Sequence, residues 1–265
     1  MLGLPDVYTI KARLLPALIA AMPGLVLAAV MVSWQQLGLS HAVGAGAAFL
    51  LFYVFSDLAQ QHGKRLEKCI FERMGGKPST TLLRHRDGRF DAATKGIWCR
   101  FVGGQIKQEP PTAEDETANP AGADIFYARC GDWLRDQMRD YKRFKLLFEA
   151  LVRYGFRRNL LGLKKTALAL TTIIVVACAI ALWFRLPISP DDHASMRLIY
   201  VLVVAAVQAA YFLFAVNEKA AMQAAHEYGE QLLLGCDALI SGPPTAAKKP
   251  ARKEKGLKEV TEAAS

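Results

Sequence analysis

The sequence predicts an all-α integral membrane protein, with four transmembrane helices in two hairpins and a helical cytoplasmic domain between the hairpins. Three observations lead to this fold class. Four long stretches contain no charged side chain, the net positive charge is confined to the middle of the chain, and aromatic residues mark the ends of the uncharged stretches. A chain of 265 residues is too short to bury four such helices in a soluble core.

The predicted spans are the four stretches that lack Asp, Glu, Lys and Arg. They comprise residues 14–34, 38–56, 166–184 and 198–216. About 20 apolar residues in a helix cross the hydrocarbon layer of a bilayer. The first two spans form a hairpin within residues 1–57, and the other two form a second hairpin within residues 166–216. The first span is longer than the apolar segment of a signal peptide, so we expect it to be retained.

Residues 58–165 carry the whole net charge. They hold 22 Lys and Arg against 13 Asp and Glu, which is a net charge of +9, equal to that of the entire chain. The basic residues that flank the spans on this side are Lys11, Arg13, Lys64, Arg65, Lys68, Arg157, Arg158, Lys164 and Lys165. The opposite side keeps only Arg185 and Arg197. Because positive flanks stay inside, we expect both termini and the central domain to face the cytoplasm.

Aromatic residues agree with this orientation. Trp34 and Trp183 lie at the predicted outer ends of the first and third spans, and Tyr200 lies at the outer end of the fourth. Tyr53 lies near the inner end of the second. Rings at these depths are typical of transmembrane helices.

Two spans contain residues that need a partner inside the bilayer. Pro16 and Pro23 each remove a backbone donor from the first span, so we expect a kink and a neighbouring helix that satisfies the freed carbonyl. Gln208 lies in the middle of the fourth span. It is expected either to line a pore formed by several copies or to bond to an adjacent helix. No span holds a charged residue that would serve a proton relay.

Small residues recur every four positions in the second span. They form the pairs Ala42 with Gly46 and Gly44 with Ala48. Such residues let helix backbones approach closely in lipid. The pattern is consistent with packing inside the first hairpin and with association between copies.

The cytoplasmic domain is expected to consist of extensions of the spans. The second span continues as a helix to Met74, a helix from Asp124 runs into the third span, and the fourth continues over Asn217–Ile240. Residues 217–240 thus form a cytoplasmic helix, and residues 241–265 form a disordered basic tail. Such continuity would couple events in the domain to movement of the spans.

Within residues 58–165, shorter features complete the prediction. Asp91 has the position of an N-cap for a helix over 92–101 that ends at Gly103, and residues 105–123 are expected to form a mobile loop. Three Asp–Arg pairs at i,i+3 spacing are expected to stabilise the exposed face of the following helix. They are Asp132–Arg135, Asp136–Arg139 and Asp140–Arg143.

Two groups of basic residues are candidates for binding phosphate. Arg84, His85 and Arg86 occur together in a predicted loop, and arginine matches the geometry of phosphate oxygens. A second group beside the third span is expected to contact lipid headgroups because the helix holds it at the membrane surface. It comprises Arg153, Arg157, Arg158, Lys164 and Lys165.

Motifs for catalysis or metal binding are absent from the sequence. The five cysteines are scattered singly, no Cys or His pair has the spacing of a zinc site, and no nucleotide-binding or hydrolase motif occurs. We therefore expect no enzyme, no cofactor and no metal. No nucleic-acid-binding motif accompanies the basic charge.

Three segments carry a resemblance to known sequences. They are residues 75–84 (GGKPSTTLLR), residues 94–95 (TK) and residues 154–162 (YGFRRNLLG). These segments resemble an uncharacterised family of bacterial four-span inner-membrane proteins, and the layout is similar to that of small membrane effectors of bacterial defence systems. The resemblance implies a bacterial inner membrane and transfers no site residue.

These features predict a non-enzymatic, self-associating inner-membrane protein. Its cytoplasmic domain would pass a ligand or partner signal to the spans, in the manner of a pore or membrane effector. A scaffold that recruits a cytoplasmic protein is the alternative. A membrane enzyme acting on lipid or a phosphorylated ligand is the third hypothesis.

Overall fold

The structure, a computed structural model, describes residues 7–31, 39–186 and 192–242, and the side chains of residues 39–44 and 47 lie outside that description. Every regular element within these ranges is a helix, which confirms the predicted all-α class there. The elements are a π-helical turn at Thr9–Leu14 that leads into α1 (Leu15–Met31), α2 (Leu39–Arg73), α3 (Pro78–Leu83), α4 (Ala92–Ile106), α5 (Ala113–Ala118), α6 (Pro120–Gln137), α7 (Lys145–Trp183), α8 (His193–Ala210) with a π-helical turn at Tyr211–Ala215, and α9 (Glu218–Ile240). Residues 32–38 between the first two predicted spans, residues 187–191 before α8 and the predicted tail from residue 243 lie outside the described residues.

Three of the described helices are long and apolar enough to cross a membrane. They are Thr9–Met31, Lys145–Trp183 and His193–Ala215, which correspond to the first, third and fourth predicted spans. Their length and composition indicate a membrane protein. The second predicted span, residues 38–56, is not among these three and, apart from its first residue, forms the first half of α2.

Two helices are continuous between the apolar and the polar parts of the fold, as predicted. Helix α7 has 39 residues and α2 has 35, so they are about 58 and 52 Å long at 1.5 Å per residue. Helix α7 packs with α1, α2, α8 and α9, and its polar half contacts both α9 and the polar end of α2. We call α3–α6, α9 and the polar ends of α2 and α7 the polar domain.

The fourth apolar helix does not continue into the polar domain, so that prediction is wrong. Val216 has an extended backbone, and Asn217 begins α9 by accepting a hydrogen bond from the N–H of Ala220 at 2.9 Å. Lys164 on α7 donates its ammonium to the carbonyl oxygen of Val216 at 2.7 Å. Asparagine is a strong N-cap, and the lysine satisfies a carbonyl at the preceding helix end, so the break is stable.

The predicted mobile loop at residues 105–123 also contains helix. Helix α4 runs past its two glycines to Ile106 and ends where Lys107 adopts a left-handed backbone, with its N–H bonded to the carbonyl of Gly103. Helix α5 follows, with a reciprocal capping box between Thr112 and Asp115. The Thr-x-x-Asp pattern was the signal for this helix.

The long polar helix predicted from Asp124 is interrupted. Helix α6 begins earlier, at Pro120, and ends at Gln137. The carboxylate of Asp140 accepts hydrogen bonds from the backbone N–H groups of Lys142 at 2.9 Å and of Arg143 at 3.4 Å. These local bonds compete with the helical ones, and a new helix starts at residue 145.

Each part of the fold has its own apolar core. The core of the polar domain surrounds Trp98, whose indole N–H donates to Asp237 at 2.6 Å. The core between the apolar helices is built mainly from small and branched residues. It comprises Ala17, Ala20, Ala21, Phe55, Ala59, Leu160, Leu163, Ala167, Phe212 and Val216. Small residues of this kind allow the close helix packing expected in a bilayer.

Candidate functional site

The first group of residues predicted to bind phosphate is anchored in the polar domain. Arg84 forms a bidentate ion pair with Asp124 at 2.8 and 2.7 Å, and it also donates to the carbonyl of Gly75 at 2.7 Å. The hydrogen bond to Asp124 raises the pKa of the Arg84 guanidinium. Arg84 therefore anchors the segment after α3 to α6 and has little capacity left for a ligand.

The two residues after Arg84 are held by Glu116. The carboxylate accepts from the backbone N–H of His85 at 2.7 Å and from the hydroxyl of Tyr127 at 2.9 Å, and Arg86 lies 3.8 Å away with its side chain exposed. Burial acts to raise the pKa of Glu116, but these hydrogen bonds outweigh it and the pKa lies below its ordinary value. A ligand role for Arg84, His85 and Arg86 stays a prediction, and the geometry gives two of them a structural role.

A buried lysine closes the same turn from the other side. Lys95 is 3% exposed, and its ammonium donates to the carbonyl oxygens of Arg84 at 2.6 Å, Asp87 at 2.7 Å and His85 at 3.3 Å. Three carbonyls match the three donors of an ammonium group. Lys95 thus organises the turn and is a stabilising residue that the sequence alone did not single out.

The basic residues beside the third span divide into two groups. Three have partners in the fold: Arg153 pairs with Glu227, Arg158 pairs with Glu67, and Lys164 caps Val216. Arg157 and Lys165 form no ion pair with the residues that the structure describes. Lys165, which adjoins the uncharged segment, remains the better candidate for a lipid headgroup, because Arg157 lies nine residues, or about 14 Å of helix, before Thr166.

A side-chain amide on α7 bonds to the backbone carbonyl that the first proline of α1 leaves without a donor. Pro16 has no N–H to donate to the carbonyl of Ala12, four residues earlier. The side-chain amide of Asn159 donates to that oxygen at 2.6 Å, and Asn159 is 1% exposed. A π-helical turn precedes the proline.

The second proline is matched in the same way by α8. Pro23 leaves the carbonyl of Ile19 without its helical donor, and the amide of Gln208 lies 3.3 Å from that oxygen and 3.1 Å from the oxygen of Ala20. The oxygen of the Gln208 amide accepts from the hydroxyl of Thr171 at 2.6 Å. Gln208 therefore joins α1, α7 and α8, the interhelix role that was one of its two predicted roles.

The small residues of the second span do not all face the rest of the fold. A Cβ at Gly46 would meet nothing within 4 Å, and Ala48 is half-buried. The side chains of Ala42 and Gly44 lie outside the described residues. At Gly46 the structure provides no contact within the hairpin.

A cavity of about 290 Å³ lies where the apolar helices meet the polar domain. We call it the junction cavity. Its lining comes from five helices, from Lys77 just before α3 and from Tyr8 just before the π-helical turn. The polar side chains in the lining are Tyr8, Glu67, Lys77, Ser79, Arg135, Tyr154, Arg158 and Tyr228. Residues of α2, α7 and α9 thus all line this cavity.

Aromatic rings form one wall of the junction cavity. The ring of Tyr154 is stacked with Phe71 at 6.3 Å and with Tyr228 at 6.2 Å, with interplanar angles of 20° and 8°. Arg158 lies over the ring of Tyr154 at 5.4 Å. Tyr154 is 4% exposed, and its hydroxyl forms no hydrogen bond of regular geometry with the described residues, although the side chain of Arg158 lies within its reach. A buried hydroxyl without a regular hydrogen bond is costly, and a bound molecule would remove that cost.

A glycine brings the start of the first helix to this wall. A Cβ at Gly155 would lie 3.0 Å from the Tyr8 hydroxyl and 2.9 Å from the side chain of Ala12. Any larger residue at this position would push the first helix away from α7. Gly155 therefore places Tyr8 beside Tyr154.

The charges around the cavity favour an anion. Lys77, Arg135 and Arg158 line it, and two carboxylates pair with them: Asp132 lies 3.3 Å from Lys77 and 3.1 Å from Arg135, and Glu67 pairs with Arg158. Three cations against two carboxylates leave an excess of one positive charge. Burial raises the pKa of Tyr228, and a hydrogen bond with the side chain of Arg135 opposes that shift.

The described residues provide neither a metal-binding cluster nor an activated thiol. No group of three His, Cys, Asp or Glu residues that could hold a metal occurs among them. All five cysteines are free, and burial raises the pKa of Cys99 to about 11 and of Cys236 to about 12. The buried thiols are therefore protonated and poor nucleophiles.

Comparison with known proteins leaves the site to be interpreted on its own geometry. No protein-family model, no curated protein and no solved structure matches the chain.

Proposed function

We propose that this chain is a ligand-responsive membrane effector, in which occupancy of the junction cavity changes the packing or permeability of the spans. The observation that carries the proposal is that α2 and α7 run without interruption from the apolar core to the cavity wall. A molecule that moves the cavity wall therefore acts on two rigid helices that reach into the membrane. The absence of a catalytic motif in the sequence is consistent with this.

The proposal includes four spans with both ends of the chain on the same side. Tyr8, at the start of the first helix, and Glu67, on α2, line the same cavity. If the first helix crosses the bilayer towards Met31, α2 must cross back to bring Glu67 to that cavity. The exposure of Phe49 and Tyr53 on α2, at 71% and 64%, is what lipid contact requires.

The proposed location is a bacterial inner membrane, with the polar domain and both termini in the cytoplasm. The net charge of +9 on residues 58–165 supports this orientation. Two proteins test this orientation. The native chain carries exposed Cys69, and the variant Val7→Cys with Cys69→Ser carries its exposed thiol at position 7 instead. An impermeant thiol reagent should label both positions from the same face of the membrane. Labelling from opposite faces would exclude the four-span arrangement.

Self-association is proposed because one face of α2 remains uncovered. Gly46 has open space around it, and the exposed Phe49 and Leu50 lie close by on the same helix. A second copy placed there would gain close backbone contact. Mass measurement in mild detergent, with Gly46→Leu as the disrupting variant, should show an oligomer that the variant dissociates.

Transmission can be tested without knowing the ligand. Leu151→Cys places a thiol in the cavity wall, and Leu146→Cys places one on an exposed turn of the same helix that does not line the cavity. Both variants also carry Cys69→Ser, which removes the exposed native thiol. A sulfonated methanethiosulfonate then serves as a tethered occupant in dye-loaded proteoliposomes.

We expect labelling to change the dye leakage rate several-fold for Leu151→Cys and to leave it unchanged for Leu146→Cys. Mass spectrometry verifies that both thiols are modified. Complete modification of the cavity thiol without any change in leakage would contradict the effector proposal and would favour a static scaffold.

A further inference from the structure

We infer that the junction cavity is a binding site for a small soluble molecule that carries a phosphate-type oxyanion, with the tyrosine hydroxyls and Arg135 as its ligands. This inference deepens the proposed function, because it names the chemical class that would occupy the same cavity. It rests on the donors in the lining, on a buried hydroxyl without a regular hydrogen bond and on the depth of the cavity.

The lining is rich in groups that donate hydrogen bonds. The phenol groups of Tyr8, Tyr154 and Tyr228 come from the start of the first helix, from α7 and from α9. Arg135 lines the same space, where it bonds to the hydroxyl of Tyr228 and pairs with Asp132 on its other side. The Tyr154 hydroxyl is buried, and Arg158 is the one described donor within its reach, without regular hydrogen-bond geometry. An oxyanion accepts several hydrogen bonds at once, which a neutral alcohol or an amine does not.

The charge around the cavity argues against a cation. The three cations of the lining outnumber the two carboxylates that pair with them by one. Arg158 already occupies a face of the Tyr154 ring, so the aromatic wall does not present an empty cation site. An anion would complete the charge balance.

The depth of the cavity argues for a soluble source of the anion. Arg158 lies eight residues before Thr166, where the uncharged segment starts, and Tyr154 lies twelve residues before it. These offsets correspond to about 12 and 18 Å of helix below the hydrocarbon layer. The headgroup region is only about 5–8 Å thick on each side. A lipid phosphate would therefore lie too far above Arg158 and Tyr154.

The volume limits the size of the ligand. A cavity of about 290 Å³ is at the lower end of the range for small-molecule sites. Leu151, Ala225 and Phe71 provide an apolar surface beside the polar groups. The site fits an anion attached to one small ring or a short apolar group.

The test is calorimetric titration of the full-length chain in detergent with phenyl phosphate, inorganic phosphate and phenol. Phosphatidic acid added to the micelles represents the lipid source. We expect saturable binding of phenyl phosphate that is at least tenfold tighter than that of phenol. Added phosphatidic acid should not compete.

Three variants locate the binding site. Arg135→Gln should weaken the binding of phenyl phosphate about tenfold, and Tyr154→Phe should weaken it several-fold, because each removes one donor from the cavity. Arg129→Gln, which removes a charge from the exposed face of the same helix α6, is the matched control and should bind like the native chain. The circular dichroism spectrum of each variant reports whether the fold is retained.

Several outcomes would overturn the inference. They are equal affinity for phenol and phenyl phosphate, equal loss in the Arg129 and Arg135 variants, competition by phosphatidic acid, and no saturable binding of either phosphate. Binding in detergent does not depend on movement of the spans, and the tethered-thiol experiment does not depend on an anion. Binding of phenyl phosphate without a leakage response to the tethered thiol would support this site and contradict the effector proposal. A leakage response without binding of phenyl phosphate would support the effector proposal and contradict this site.

Discussion

The pairing of Pro23 with Gln208 makes a prediction that a double-mutant cycle can test. Gln208→Leu removes the donor to the carbonyls of Ile19 and Ala20 and the acceptor for Thr171 while it keeps a similar volume. Hydrogen bonds between membrane helices contribute about 0.6 kcal/mol each on average. The loss of three such contacts should lower the free energy of unfolding by about 1–2 kcal/mol.

The cycle depends on the proline. In a Pro23→Ala background, the alanine N–H supplies the donor that the Ile19 carbonyl lacks. The cost of Gln208→Leu should then fall to about half its value in the native background. The measurement is equilibrium unfolding in mixed micelles with increasing SDS, followed by circular dichroism. Gln223→Leu, on an exposed face of α9, is the control and should cost less than about 0.5 kcal/mol. Equal costs of Gln208→Leu in both backgrounds, within about 0.3 kcal/mol, would refute the proposed pairing.

Three further predictions concern packing, a buried cation and acid stability. Gly162→Ala should destabilise the chain by about 1–3 kcal/mol in thermal unfolding, since its Cβ would lie 2.8 Å from a backbone nitrogen of α2. The control Gly104→Ala, whose Cβ would meet open space, should be neutral or stabilising in the same measurement. Lys95→Met should cost about 2–3 kcal/mol in chemical unfolding because it leaves buried carbonyls without their donor, and exposed Lys142→Met should cost less than about 0.5. Because the pKa of Glu116 is lowered in the folded chain, its carboxylate stabilises the fold above its ordinary pKa and loses that effect as the pH falls through the folded value. Glu116→Gln should therefore lower the melting temperature at pH 7 and lower it much less at pH 3, and an equal decrease at both pH values would contradict this.

Much of the fold follows from where charges are missing in the sequence. Three of the four uncharged stretches correspond to the three membrane-compatible helices, and the continuity of α2 and α7 follows from the lack of a breaker between their apolar and polar parts. The interruption around Asp140 was not predictable from periodicity. Met138, Tyr141 and Phe144 keep a helical spacing through the break, where the side chain of Asp140 bonds to the backbone N–H groups of Lys142 and Arg143.

The partners of the prolines show a second limit of the sequence. Pro16 and Pro23 identify which carbonyls lose a donor. The amides that replace those donors lie 147 and 189 residues further along the chain, so only the packed structure identifies Asn159 and Gln208. A polar residue in an apolar helix is the signal that such a partner exists.

The junction cavity was not predictable at all. Its tyrosines come from the first helix, from α7 and from α9, and each one alone is compatible with an ordinary amphipathic helix. The basic groups that the sequence did single out, Arg84 and Arg158, are paired with Asp124 and Glu67. Spatial convergence of distant segments leaves no local motif.

The proline–amide pairs also constrain how the protein is made. The carbonyl of Ile19 is synthesised 189 residues before the side chain that bonds to it. At about 5–20 residues per second, translation of that interval takes roughly 10–40 s. The first helix therefore waits in the membrane with an unmatched backbone oxygen until α8 arrives, so assembly of the apolar core is a late, post-insertion step. A chain truncated before α8 would expose that defect to the quality-control proteases of the cell.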